Sequence, residues 1–147
     1  MAPELKLIEG ALAVDDRGAL AFVNGFSLEG VKRFYVVSNH EAGFVRAWHG
    51  HKKEAKHVFV SSGEAIVAAV KIDDWDKPSK DLPIHRFVLS SRKPAILFIP
   101  AGYANGFRTL TPGAQVMFFS SASLQDSQGD DYRFDARRWD PWGVVER

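Results

Sequence analysis

The sequence predicts an all-β fold, a sandwich or barrel of short strands, on three observations. Short apolar or alternating runs rich in Val, Ile and Phe recur along the chain. Each run is closed by Gly, Pro, Asn or Ser, the residues of turns. Where alternation is clean, as in "KHVFV", it puts His57 and Phe59 on one face and Val58 and Val60 on the other, so that one set faces a core.

In chain order the predicted strands are "LAFVN" before Gly25, "RFYVVS" before Asn39, "KHVFVSSG", "EAIVAAVKI", "HRFVLS", "AILFIPAG" and "AQVMFFSSA". The polar stretch Asp73 to Pro83, "DDWDKPSKDLP", is a loop, and no internal repeat or low-complexity tract interrupts the pattern. The tail "DDYRFDARRWDPWGVVER" carries two of the four tryptophans. It reads as a segment folded back over an open end of the barrel, its aromatics serving as packing alone or also closing a site.

The chain has 147 residues, 46% of them hydrophobic and 25% charged, the balance of one globular domain spanning 1–147. A formal net charge of +1 gives no global field for nucleic acid or an anionic membrane, so neither is an expected partner. With no cysteine there is no disulfide, thiolate metal site or cysteine nucleophile. The start lacks a signal-peptide pattern, and no apolar stretch approaches the ~20 residues of a membrane span. A cytoplasmic protein is the expectation.

The chemistry concentrates in "GFVRAWHGHKK", Gly43 to Lys53. Residues two apart on a strand share a face, so His49 and His51 can reach one point inside a barrel. Their spacing from Gly43 matches the opening of the metal-binding cupin motif. The rest of that motif is missing. Glu54 comes one residue too early for the carboxylate ligand, and Asn105 stands where the last histidine belongs. Two imidazoles beside Lys52 and Lys53 are a poor set for a first-row metal, so neither metal nor cofactor is expected.

Proton transfer suits the pair better, since imidazole titrates near ~6.5. Structural histidines hydrogen-bonded within the barrel remain the alternative. The cations Arg46, Lys52, Lys53 and Lys56 crowd the same stretch, where a positive charge would steady an enolate or hold a phosphate. Of the lysines, Lys56 is the one assigned to the site.

These segments resemble the cupin-fold nucleotide-sugar epimerases and isomerases, which include dTDP-4-dehydrorhamnose 3,5-epimerases and the 3,4-ketoisomerases of dTDP-4-keto-6-deoxyglucose. "DDRGAL" is similar to the family's early Asp-x-Arg-Gly motif, and gives Arg17 a role in holding the nucleotide sugar. "VRAWHGHKK" is similar to the epimerase segment Arg-Gly-x-His, which makes His49 the base. It is closer still to the ketoisomerase segment Arg-Gly-x-His-Ala-His-Lys-Lys, in which His49 and His51 both serve. "AKHVFVSSGEAIVAAVKI" resembles the epimerase strand pair that carries a lysine near the sugar keto group, here Lys56. "IPAGYANGF" resembles the epimerase turn Ile-Pro-x-Gly-Phe-Ala-His-Gly-Phe, and Tyr35 matches a tyrosine that ketoisomerases place in the site.

The resemblance implies a cupin jelly-roll barrel or sandwich with a C-terminal covering segment. It assigns catalysis to His49, His51, Lys56, Tyr35 and Asp135, and substrate binding to Arg17, Arg46, Tyr103, Asn105 and Arg108. Two positions depart from the epimerases: Ser123 and Leu124 stand at the acid tyrosine, and Asp135 is displaced by one from the aspartate that orients the base. The implied activity is epimerisation of a 4-keto-6-deoxy sugar nucleotide, dTDP-linked, by His49. A 3,4-ketoisomerase is the alternative, and a catalytically silent sugar-nucleotide-binding cupin the third reading. The implied assembly is a homodimer that pairs exposed strand edges.

Overall fold

The computed structural model describes residues 3–147. Its strands in chain order are β1 (Lys6–Glu9), β2 (Ala11–Asp15), β3 (Gly18–Phe22), β4 (Arg33–Ser38), β5 (Val45–Gly50), β6 (Lys56–Ser62), β7 (Glu64–Lys71), β8 (His85–Ser90), β9 (Ala95–Ile99), β10 (Tyr103–Thr109), β11 (Gln115–Ser120) and β12 (Tyr132–Arg133). One short helix, α1 (Leu124–Gln128), follows β11. The strands form two five-stranded antiparallel sheets, in the orders β1-β9-β6-β11-β4 and β12-β5-β10-β7-β8, beside a separate β2-β3 hairpin. The fold is all-β, and it is an open jelly-roll sandwich rather than a closed barrel.

Six of the predicted runs are strands in place, and "LAFVN" contributes to β3, which begins at Gly18. The turn expected over "IPAGYANGF" is confined to Ala101–Gly102, after which β10 runs on through Thr109. That strand is paired on both sides, with β5 and β7, so ladder hydrogen bonds override its weak sequence signal.

Alternation sends Val58 and Val60 of β6, Val67 and Ala69 of β7, Leu97 and Ile99 of β9, and Val116 and Phe118 of β11 into the space between the sheets. The other face of β7 is apolar as well: Ile66, Ala68 and Val70 are fully buried. What buries them is the far part of the tail, whose Trp139 and Trp142 pack on the outer face of the second sheet. Trp139 meets Trp48 edge to face at 5.5 Å and Trp142 lies 5.1 Å from the same ring. Each indole N–H is satisfied: Trp48 donates to the Trp139 carbonyl, Trp139 to Ser79 and Trp142 to Ala136.

Since Trp139 is one of the three buried indoles that hold that layer, Trp139→Ala is expected to lower stability by about 3–5 kcal/mol. Urea unfolding would show it as a lower midpoint at unchanged slope. A midpoint within experimental error of the parent would mean that the tail is not docked in solution.

Candidate active site

Between the sheets, at the end where β4, β5, β6 and β10 meet, is a cavity of about 320 Å³. That is at the small end of ligand-binding clefts. Tyr35, Arg46, His49, His51, Lys56 and Asn105 all line it.

Strand parity and one irregularity account for the cluster. On β5, Trp48 points outward under the tail and His49 inward. Pairing with β10 runs Asn105 to His49 and then Phe107 to Arg46, so β5 has one residue more than its partner over this step. That bulge brings Arg46 and His49, three residues apart, to the same cavity. Gly106 makes it possible: a Cβ there would stand 2.4 Å from Ala47 Cβ and 2.9 Å from the Arg46 carbonyl oxygen. His51 follows two residues after His49.

The chain then crosses to the opposite sheet, and Lys56, the first residue of β6, enters the cavity from the facing wall. Its crossing turn is clamped by Asp130, whose carboxylate accepts from the backbone N–H of Lys52 (2.8 Å), Lys53 (2.8 Å) and Glu54 (2.9 Å). Tyr35 stacks on Phe118 with ring centres 5.1 Å apart, and Lys56 Nζ stands 5.7 Å from the tyrosine ring.

The tail supplies the next wall. Strand β12 pairs with β5 so that Arg133 lies opposite His49. Arg133 and Asp131 therefore face the cavity, while Tyr132 turns to the outer side with Trp75. A Cβ at Gly50 would meet Trp75 at 2.7 Å, which keeps that position a glycine. Helix α1, capped by Ser123, brings Leu124, Ser127 and Gln128 to the rim.

Burial dominates the electrostatics. It pushes the His49 pKa down to about 4, helped by the nearby Arg133 and Lys56 charges. It lowers His51, with Lys56 adding to the effect, and it lowers Lys56. Burial and the Glu54 charge push the Tyr35 phenol up, so it stays protonated. At neutral pH the site holds a neutral imidazole at His49 beside a protonated phenol, a base and a hydrogen-bond donor.

The remaining candidates from the sequence lie elsewhere. Asp135 is in the tail, where its carboxylate accepts from Arg137 N at 2.8 Å; the tail carboxylate that lines the cavity is Asp131. Arg108 donates to the Trp142 carbonyl at 2.6 Å and anchors the tail. Tyr103 borders a separate depression with Ile72, Leu82 and His85. Arg17 is on the exposed β2-β3 turn, paired with Asp15. Sequence reasoning missed Arg33, Asp131 and Arg133. Arg33 shares strand parity with Tyr35 and was the findable one. Among the described residues no group of three His, Asp or Glu is placed to hold a metal.

The model of the dTDP-4-dehydrorhamnose 3,5-epimerase family matches residues 2–139. The spore coat polysaccharide biosynthesis protein SpsL of Bacillus subtilis is 28% identical over 102 residues, which span 68% of this chain and 62%, less than two thirds, of that protein. Among solved structures, dTDP-4-dehydrorhamnose 3,5-epimerase from Bacillus anthracis, with TDP and PPi bound, has a TM-score of 0.72 at 26% identity, over 97% of this chain and 87% of that one. QdtA, a sugar 3,4-ketoisomerase from Thermoanaerobacterium thermosaccharolyticum in complex with TDP, has a TM-score of 0.67 at 20% identity, over 94% of this chain and 93% of that one. The likeness to QdtA is one of fold.

Proposed function

As the chain belongs to the dTDP-4-dehydrorhamnose 3,5-epimerase family, we propose that it isomerises a dTDP-linked 4-keto-6-deoxy sugar by moving a proton next to the keto group, as a 3,4-ketoisomerase. The observation that carries this reading is the composition of the cavity wall: His49, His51 and Tyr35 line it, and so does Leu124, the residue that the family resemblance sets at the epimerases' acid tyrosine.

The carbonyl at C4 acidifies the C3 proton. Neutral His49 takes it; the C3–H bond breaks and its electron pair passes into a C3–C4 enediolate. The cation of Lys56 opposes the charge developing on oxygen, and the protonated Tyr35 donates a hydrogen bond to it. His51 takes the O3 proton and passes it to O4, while His49 returns its proton to C4; the O3 electron pair becomes the new C3 carbonyl, which yields the 3-keto, 4-hydroxy sugar. Both carbon-bound protons move on one face, so a single base is sufficient. Arg33, Arg46 and Arg133 also line the cavity, against the one lining carboxylate of Asp131. That excess of positive charge suits a diphosphate.

Epimerisation, the leading expectation from the sequence, is the second reading. It is favoured by the resemblance of the Lys56 strand to the epimerase strand pair and by the family match, and it needs an acid opposite the base, for which Tyr35 is the tyrosine that lines the cavity. Proton NMR of dTDP-4-keto-6-deoxyglucose in deuterated water separates the two. A 3-keto product is the expected result, with deuterium at C4 to the extent that protonated His49 exchanges with solvent. Deuterium at C3 or C5 without keto migration would establish epimerisation instead, and bound ligand with no exchange would identify a silent binding protein.

The proposal includes a homodimer. Its support is the outer face of the first sheet, where Phe34 is 63% and Val36 47% exposed. Sedimentation equilibrium giving the mass of one chain would remove it.

A further inference from the structure

Glu54 has no part in the chemistry described so far, yet its side chain is fully buried directly behind the cavity. Ser120 Oγ donates to Glu54 Oε2 and Ser127 Oγ to Oε1, each at 2.6 Å. The Arg33 guanidinium stands 3.8 Å from Oε2. Two hydroxyl donors and a guanidinium converge on this carboxyl, the surroundings of an anion.

Its remaining neighbour is His51. Oε1 lies 3.6 Å from His51 Nδ1, too far for a hydrogen bond but close for a charge. The same nitrogen is 2.5 Å from the Asp130 carbonyl oxygen. A carbonyl oxygen only accepts, so Nδ1 carries the ring proton. Nε2 is then left with its lone pair. It is buried, and it has no hydrogen-bond partner among the described residues, on a ring that lines the cavity.

We propose that Glu54 is a positioning residue for His51: with the Asp130 carbonyl it holds the ring as the Nδ1–H tautomer, and its negative charge stabilises the imidazolium formed when Nε2 takes a proton. The inference deepens the proposed isomerisation and rests on it for the source of that proton. In that step the substrate O–H bond breaks, its electron pair stays on oxygen, and an N–H bond forms at Nε2. The charge then faces Glu54 across the ring. The other charged or titratable groups around His51 are His49 on β5, Lys56 on β6, and Asp130 and Asp131 ahead of β12. Lys56 opposes protonation of His51, and Glu54 counters it. Glu54 also precedes Lys56 by two residues, so one clamped turn delivers both the counter-charge and the cation.

Two measurements test the proposal, one of them independent of turnover. Long-range ¹H–¹⁵N NMR of the wild-type protein, with His51 assigned by loss of its signals in His51→Gln, reads the tautomer directly. Proton on Nδ1 is expected, and proton on Nε2 overturns the proposal whatever the enzyme catalyses. In Glu54→Gln the His51 titration is expected to move to lower pH. The isomerisation rate, kcat, is expected to fall by between ~10-fold and ~100-fold, less than loss of a base itself, with KM changed less than about twofold. Glu54→Asp, which keeps the charge, should return the titration toward that of the wild type. An unchanged His51 titration in Glu54→Gln would overturn the proposal, and should that variant not fold, a wild-type ring protonated on Nε2 would still overturn it. Wild-type protein with the expected tautomer but no isomerisation would sink the proposed function and leave the Glu54–His51 pairing standing.

Discussion

Replacing His49 with asparagine is expected to lower kcat/KM by ~10²–10⁴, the usual contribution of a positioned general base. Asparagine keeps a polar group of similar reach at the Asn105-paired position of β5, so the bulge that aims residues 46 and 49 into the cavity has no reason to open. The pH dependence follows from burial. A histidine is a base only when neutral, and His49 becomes protonated around pH 4 rather than near its usual 6.5. The acid limb that it imposes on the rate therefore belongs near pH 4, with no loss of this base between pH 5 and 8. The same depression links to stability. The unfolded chain binds this proton below about pH 6.5 and the folded chain only below about pH 4, so stability is fully present above 6.5 and falls as the pH is lowered through that window. His49→Asn removes that contribution, and its unfolding midpoint should vary less between pH 4 and 6.5 than that of the parent. An acid limb at 6.5 in the wild type would mean that His49 is solvated and is not held as described.

The part of the site that sequence exposes is the part built by strand parity. His49 and His51 are two residues apart, Lys56 shares its face with Val58 and Val60, and Tyr35 lies in a run of clear alternation; from these, a cluster inside a β-sandwich can be reasoned out. Arg33 obeyed the same rule, two residues before Tyr35. What escapes is what non-local pairing adds. Strand β12 is two residues long, with no periodicity of its own, and only its pairing with β5 brings Asp131 and Arg133 beside His49. Family spacing pointed to Asp135, four residues farther on, where the chain has already turned away to bring its indoles to Trp48. Glu54 is the reverse case. Its position was plain, but measured against a metal motif it looked only misplaced by one. Its burial against Ser120 and Ser127, both far along the chain, is what gives it a role. The tail likewise showed its tryptophans but not their target, because β7 reads as an apolar run whether one face or both faces are covered.

Lys56 carries the second large effect, because it sets the needs of the fold against those of the reaction. Lys56 is a buried residue whose side chain lines the cavity, and no carboxylate comes within ion-pair distance of it among the described residues. Its neighbours are the faces of Tyr35 and Phe118, 5.7 and 5.4 Å from Nζ. Burial lowers its pKa, with the Glu54 charge acting the other way and Arg33 adding to the depression. A cation kept in such a place is stabilised less than it would be in water, and what would compensate it is negative charge arriving with the substrate and growing on oxygen as the enediolate forms. Lys56→Met keeps the apolar stem against Phe118 and removes the charge. The variant is therefore expected to be more stable than the parent by about 0.5–2 kcal/mol, read as a higher unfolding midpoint. Its kcat should fall by ~10²–10³, the cost of losing one donor aimed at developing charge. The two changes are expected together and in opposite directions. A Lys56→Met variant that lost stability along with activity would show the ammonium to be a structural partner of Glu54, and the enediolate would then need another cation among Arg33, Arg46 and Arg133.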